Sequence, residues 1–181
     1  IPANMYAAVV LGYMAEIADM VWHDKALSAE AAALGKEIRD GIEKYGTVDD
    51  PEFGRMYVYE ADGLGHQLLM DDAGVPVYRS TRRFSLSPRN PFFYTGKALS
   101  GLGSPHSKPD FVWPMGIIMQ GFTVQPEENL CAILDMVAHA DDGTGYVHES
   151  VHKDDPSRYT RPWFAWVNSL YSELLIKTYV K

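Results

Sequence analysis

The chain has 181 residues, 46% of them hydrophobic, which is enough to build the core of one domain. Its formal net charge is −8 and its basic residues form no cluster, so it lacks the positive stripe with which a nucleic-acid binder neutralises phosphates. Charged residues interrupt every apolar stretch before the ~20 residues that span a bilayer, which argues against a membrane protein. The single cysteine, Cys131, excludes an internal disulfide and a thiolate metal cluster.

Helical periodicity dominates the first quarter of the chain. Apolar residues recur every three or four positions over residues 3–22, and Pro2 suits a first helical turn, so this segment is predicted to be an amphipathic helix. Ser28 is a suitable N-cap for a second helix, which Gly46 would end. Residues 55–60 alternate strictly in side-chain type and predict a short strand.

The rest of the chain alternates between loops and helices. Residues 63–112 are rich in Gly, Pro, Ser and Arg and show little periodicity, which is uncommon in a compact domain unless the segment is functional. Helices are predicted over residues 113–122, 127–139 and about 163–179. The sequence therefore predicts one domain that is mostly α-helical and carries a short β-hairpin.

The first candidate site is a pair of adjacent carboxylates. Asp71 and Asp72 follow the apolar run 68–70, where a loop would enter a cavity. They could accept hydrogen bonds from sugar hydroxyls, or one of them could cap the next segment. Both interpretations stay open from the sequence.

The second candidate is the glycine-containing segment 143–149, which ends in His148-Glu149. A carboxylate near a histidine and Arg161 can stay ionised at neutral pH, as a base that activates water must. A surface glutamate in a polar loop is an equally good interpretation.

The same residues match the zinc pattern H-E-x-x-H, which here would use His148, Glu149 and His152. That pattern places two histidines one turn apart on a sustained helix. Gly145 just upstream and Pro156 just downstream argue against such a helix, so we expect no metal at this segment.

Aromatic residues are abundant, with four Trp, eleven Tyr and seven Phe. Several of them, including Trp113 and Trp163, lie beside Gly, Pro and polar residues rather than on helical stripes. Their ring faces could stack on sugars, or they could simply pack the core.

Seven blocks spread over nearly the whole chain resemble glycoside hydrolase family 125, the metal-independent exo-α-1,6-mannosidases. They occupy residues 1–5, 65–72 with 75–76, 81–84, 101–106, 113–114 with 119–121, 143–149 and 161–166. The resemblance implies an all-α fold, the (α/α)6 barrel, with residues 1–181 as the C-terminal portion of a single catalytic domain. Its N-terminal part would precede Ile1, and about five helices cannot close a twelve-helix barrel alone.

The resemblance also implies an inverting mechanism without metal or cofactor. It makes Glu149 the general base, and it places the general acid on an Asp upstream of residue 1. The residues expected to bind or line the terminal mannose are Asn4, Asp71, Asp72, His106, Trp113, Gln120, His148, Arg161 and Trp163. The implied partners are α-mannoside glycans and the rest of the same catalytic domain.

Two departures from the family pattern keep alternatives open. Ser150-Val151 stands where members usually have Gly-Phe, and the link between Pro76 and Thr81 is short. A non-catalytic, degenerate carbohydrate-binding relative therefore remains an alternative to the exo-α-1,6-mannosidase. A zinc hydrolase is a further alternative, and it would lose activity with a chelator.

Overall fold

The computed structural model describes residues 1–69 and 78–180, with only the backbone of Arg79. The chain divides into two compact units, Ile1–Leu69 and Met70–Lys181.

The first unit is built on a pair of packed helices, α1 (Pro2–Met20) and α2 (Lys25–Tyr45). Small residues permit their close approach, because a Cβ at Gly35 would lie only 3.3 Å from the Cβ of Leu11. The prediction that Ser28 caps α2 is wrong. The side chain of Asp24 accepts the N–H of Leu27 at 3.0 Å, and the helix begins at Lys25. An Asp before the first turn satisfies a free N–H as well as a Ser does.

The opposite face of α1 is apolar and exposed. Positions three and four apart share a face of a helix, and these side chains all fall on one such face. They are Tyr6, Val9, Val10, Tyr13, Met14, Ile17, Met20 and Val21. The predicted amphipathic helix is confirmed, but the face that packs on α2 is the one with small residues.

Short hairpins complete the first unit. Strands β1 (Thr47–Asp50) and β2 (Gly54–Tyr57) pair antiparallel across a turn in which Gly54 has a φ of 78°. Strands β3 (Glu60–Ala61) and β4 (Gln67–Leu68) form a second antiparallel pair. The strand predicted over residues 55–60 is thus present, but it is divided between β2 and β3.

The second unit combines helices with two small sheets. Its elements, in chain order, are α3 (Tyr78–Ser85), β5 (Phe93–Thr95), β6 (Ser100–Leu102), β7 (Phe111–Val112), α4 (Pro114–Phe122), α5 (Leu130–Ala138), β8 (Ser150–His152), β9 (Asp155–Thr160) and α6 (Ala165–Tyr179). The described part of residues 63–112 therefore contains regular structure, although the sequence there shows little periodicity. The strands within this range have only two or three residues each, too few for an alternating pattern to be detected.

Helices α4, α5 and α6 enclose the core of this unit. The packing of α4 on α6 is tight, since a Cβ at Gly121 would lie 2.6 Å from Leu174 Cδ2. As predicted, Pro114 opens α4. The prediction that α5 starts at residue 127 is wrong, because Asn129 accepts the N–H groups of the first turn and the helix begins at Leu130.

Strands β7, β8 and β9 form a three-stranded antiparallel sheet, with β8 in the centre. Val112 pairs with Val151, Val151 pairs with Tyr159, and Ser150 pairs with Thr160. Val112 and Val151 are fully buried. Glu149 immediately precedes β8, so the sheet anchors it to the core. Among the described residues, no helix is at once long and apolar enough to cross a membrane.

Candidate active site

The loop before Glu149 is organised by the carboxylate of Asp141. It accepts the N–H of Gly143 at 3.0 Å and that of Gly145 at 2.9 Å. The hydrogen bond from Gly143, joined by that from Gly145 and only partly offset by burial, holds the pKa of Asp141 below its ordinary value. Both glycines have positive φ, 73° and 75°, a conformation that a side chain disfavours. The glycines therefore shape the turn that leads to Glu149.

His148 joins this turn to the segment after β9. Its ring is fully buried and lies flat on Tyr159, with the ring centroids 3.7 Å apart and the planes at 12°. Nδ1 lies 2.8 Å from the carbonyl oxygen of Pro162, and Nε2 lies 3.2 Å from that of Asp141. Both ring nitrogens thus lie within hydrogen-bond distance of backbone carbonyls, and a ring with one N–H donates to one of the two.

Glu149 carries a carboxylate that is held at both oxygens. Its side chain is 18% exposed, and Oε1 lies 3.3 Å from Arg161 Nη1. Oε2 accepts a hydrogen bond from the Thr160 hydroxyl at 3.1 Å. The backbone N–H of Glu149 donates to the carbonyl of Thr160 at 3.3 Å, so the same residue fixes main chain and side chain. A carboxylate that donors orient in this way can accept a proton from water.

The guanidinium beside Glu149 is itself mostly exposed. Arg161 has a side chain that is 64% exposed and a φ of 43°, the left-handed conformation that non-glycine residues adopt rarely. Two residues further, Trp163 is 57% exposed, and its ring meets that of Tyr146 edge to face at 5.0 Å. An acid, a cation and exposed aromatic rings thus lie on the two segments that adjoin one end of the paired strands β8 and β9.

The other predicted site residues of the second unit are Gln120, Trp113 and His106. Gln120, on α4, donates to Glu128 at 3.2 Å, and no hydrogen bond among the described residues joins it to Glu149. Trp113 precedes α4, and its indole N–H is buried without an acceptor among the described residues. His106 is exposed, and its backbone N–H donates to the Ser104 hydroxyl at 3.1 Å.

The remaining predicted residues are Asn4, Asp71 and Asp72. Asn4 is exposed in the first turn of α1, in the first unit. Asp71 and Asp72 lie outside the described residues. Their expected roles, like those of the other substrate residues, stay predictions.

Sequence reasoning missed two groups of residues. One is the Ser150–Thr160 pair beside Glu149, which only the register of β8 and β9 brings together. The other is Arg82, whose Nη2 lies 2.6 and 2.5 Å from the two carboxylate oxygens of Glu128. Nothing in the linear spacing of these residues indicates that they meet.

The zinc pattern does not acquire the backbone it needs. Residues Ser150–His152 form strand β8, so His148 and His152 do not lie one helical turn apart, in agreement with the predicted absence of a sustained helix. Within residues 1–69 and 78–180, no three His, Cys, Asp or Glu side chains are grouped so that they could hold a metal ion.

Comparison with known proteins assigns the family. Residues 1–176 match the family model described as metal-independent alpha-mannosidase (GH125). The chain is 37% identical to the meiotically up-regulated gene 157 protein of Schizosaccharomyces pombe, over 97% of this chain and 38% of that protein. It also superposes on a metal-independent α-mannosidase of Streptococcus pneumoniae, solved as a non-productive complex with α-1,6-mannobiose, with a TM-score of 0.88 and 38% identity. That match covers 98% of this chain and 46% of the solved one, so the chain spans less than half of either relative. The chain belongs to glycoside hydrolase family 125, the metal-independent α-mannosidases.

Proposed function

We propose that the protein containing this chain is an inverting exo-α-1,6-mannosidase, in which Glu149 is the general base. The observation that carries the proposal is the Glu149 carboxylate, largely buried and held by Arg161 and Thr160 at the end of a glycine-shaped turn. Family membership supplies the reaction class, and the bound α-1,6-mannobiose in the similar structure supports the linkage.

The chemistry follows from two carboxyl groups on opposite sides of the scissile bond. One protonates the glycosidic oxygen while the other takes a proton from water that attacks the anomeric carbon, and the two groups stand about 6.5–9.5 Å apart. Glu149 takes the water's proton. The acid is an Asp that the family resemblance places upstream of Ile1.

Arg161 and Trp163 are the proposed contacts to the terminal mannose. A guanidinium has five N–H donors, and the contact of Arg161 with Glu149 uses Nη1, so further donors remain for sugar hydroxyls. The exposed ring of Trp163 offers a face for the apolar side of the sugar. The other proposed mannose-binding residues are Asn4, Asp71, Asp72, His106, Trp113 and Gln120. We propose that His148, whose side chain is fully buried, acts on the sugar only by holding the segment of Glu149.

We further propose that the chain forms the C-terminal portion of an (α/α)6 barrel that the rest of the protein completes. The exposed apolar face of α1 supports this proposal, because an apolar face of eight large side chains is rarely left in water. The chain's share of its relatives, 38% and 46%, leaves ample length for the remaining helices.

The test uses the whole protein and α-1,6-mannobiose, with the released anomer followed by proton NMR. We expect β-mannose to appear first, Glu149→Gln to abolish release, and Glu173→Gln, which alters an exposed pair with Lys177 on α6, to leave it unchanged. A chelator should not affect the rate. Early α-mannose would mean retention and a different role for Glu149. A folded protein that binds the disaccharide without cleaving it would be a carbohydrate-binding relative, and loss of activity with a chelator would indicate a metal enzyme.

A further inference from the structure

Two hydroxyls face each other across the sheet next to Glu149. Ser150 on β8 pairs with Thr160 on β9, and their hydroxyl oxygens are 2.7 Å apart. Ser150 is only 1% exposed, so its hydroxyl has left water and depends on this contact. Among the described residues, the Ser150 hydroxyl makes no other hydrogen bond.

The direction of these hydrogen bonds follows from counting protons. An ionised carboxylate has no proton to give, so the Thr160 hydroxyl must be the donor to Glu149 Oε2. A hydroxyl has one proton, so Thr160 Oγ1 must accept from Ser150. The chain of donors therefore runs from Ser150 to Thr160 to Glu149.

We infer that Ser150 and Thr160 are positioning residues for Glu149, an inference that rests on the proposed role of Glu149 as the base. Thr160 holds Oε2 in one orientation, and Ser150 keeps the Thr160 proton directed at that oxygen. Each carboxylate oxygen has two lone pairs, so this contact leaves one on Oε2 for the water. Because a base must lie within hydrogen-bond reach of the proton that it abstracts, a carboxylate free to rotate would lose rate.

Variants at Thr160 distinguish the orientation of the base, which affects kcat, from the binding of the sugar, which affects KM. Thr160→Val keeps the shape of the side chain and removes the donor, whereas Thr160→Ser keeps the hydroxyl. We expect Thr160→Val to lower kcat by about 10- to 100-fold with little change in KM, and Thr160→Ser to restore most of the rate. Ser150→Ala, which acts through Thr160, should lower kcat by less, about 3- to 10-fold.

A double variant tests the order of the two residues. If Ser150 acts only through Thr160, adding Ser150→Ala to Thr160→Val should cause no further fall in kcat. Thr178→Val is the matched control, because its hydroxyl donates to the carbonyl of Leu174 at 2.7 Å on α6, and it should leave kcat unchanged. All variants are made in the whole protein, and circular dichroism and thermal melts identify those that fold.

The outcomes distinguish this inference from the proposed function. If Glu149→Gln abolishes cleavage but folded Thr160→Val keeps full kcat, the positioning role is refuted and the base assignment stands. Equal losses in Thr160→Ser and Thr160→Val would also refute it, since the hydroxyl would then not matter. If Glu149→Gln stays active, the proposed function itself fails. Should Thr160→Val not fold, Ser150→Ala and Thr160→Ser still decide, because the inference requires a loss in the former and near-full activity in the latter.

Discussion

His148 provides the sharpest test of how the segment around Glu149 is held in place. Replacing it with alanine removes the hydrogen bond that the ring N–H donates to a backbone carbonyl, that of Pro162 at 2.8 Å or that of Asp141 at 3.2 Å, and a stacked contact with Tyr159. The hydrogen bond contributes about 1 kcal/mol, and the stacked contact contributes about 0.5–1.5 kcal/mol. The cavity left by a fully buried ring adds about 1–2 kcal/mol. We therefore expect His148→Ala to lower the free energy of unfolding by about 2.5–4.5 kcal/mol.

The assay is urea unfolding of the whole protein, followed by circular dichroism, with kcat measured on the same samples. His139→Ala is the matched control, because His139 also has Nδ1 near a backbone carbonyl, that of Asp135 at 2.7 Å, but its side chain is exposed. We expect the control to cost less than about 1 kcal/mol. His148→Phe should fall between the two, since it keeps an aromatic ring and loses the hydrogen bond. Equal effects of His148→Ala and His139→Ala would refute this account of the buried ring.

Two further predictions concern stability. Burial alone would raise the pKa of Glu128, but its hydrogen bonds, that from Arg82 foremost, hold the pKa below its ordinary value. A carboxyl whose pKa is lower in the folded than in the unfolded state adds stability above the unfolded pKa, about 4.3, which is lost as the pH falls through the folded value. In urea titrations, lowering the pH from about 5 to about 3 should therefore reduce the free energy of unfolding of the wild type more than that of the Glu128→Gln variant. An equal loss in both proteins would contradict the prediction. Gly145→Ala should lower the free energy of unfolding by about 1–2 kcal/mol in thermal melts, because the φ of Gly145 is +75°. The control Gly12→Ala, on α1 with open space around the added Cβ, should be neutral or slightly stabilising. The reverse order would show that backbone strain at Gly145 is not what matters.

The sequence was most informative where structure depends on neighbours along the chain. The apolar period over residues 3–22 predicted α1, and Pro114 predicted the start of α4. Gly145 argued against a sustained helix around Glu149, and both Gly143 and Gly145 have positive φ in the structure. The family resemblance, carried by seven ordered blocks, is confirmed.

The sequence was least informative where several local signals competed. Asp24 and Ser28 are both good N-caps, and only the packed structure shows that Asp24 is used. Glu128 lies within the helix predicted over residues 127–139, yet its carboxylate pairs with Arg82, 46 positions away, and the helix begins later. An ion pair that is largely removed from water outweighs the small gain from a charge at a helix start.

The environment of Glu149 was decided by tertiary structure alone. The sequence indicated Glu149, its neighbour His148 and the nearby Arg161, but it gave no sign of the Thr160 contact, 11 positions further along, or of the geometry of either contact. Those contacts exist because β8 and β9 pair in one register, and a shift by one residue would turn every side chain of a strand to the other face. The pattern of a three-residue strand is too short to specify that register, so the buried core beneath the sheet has to do so.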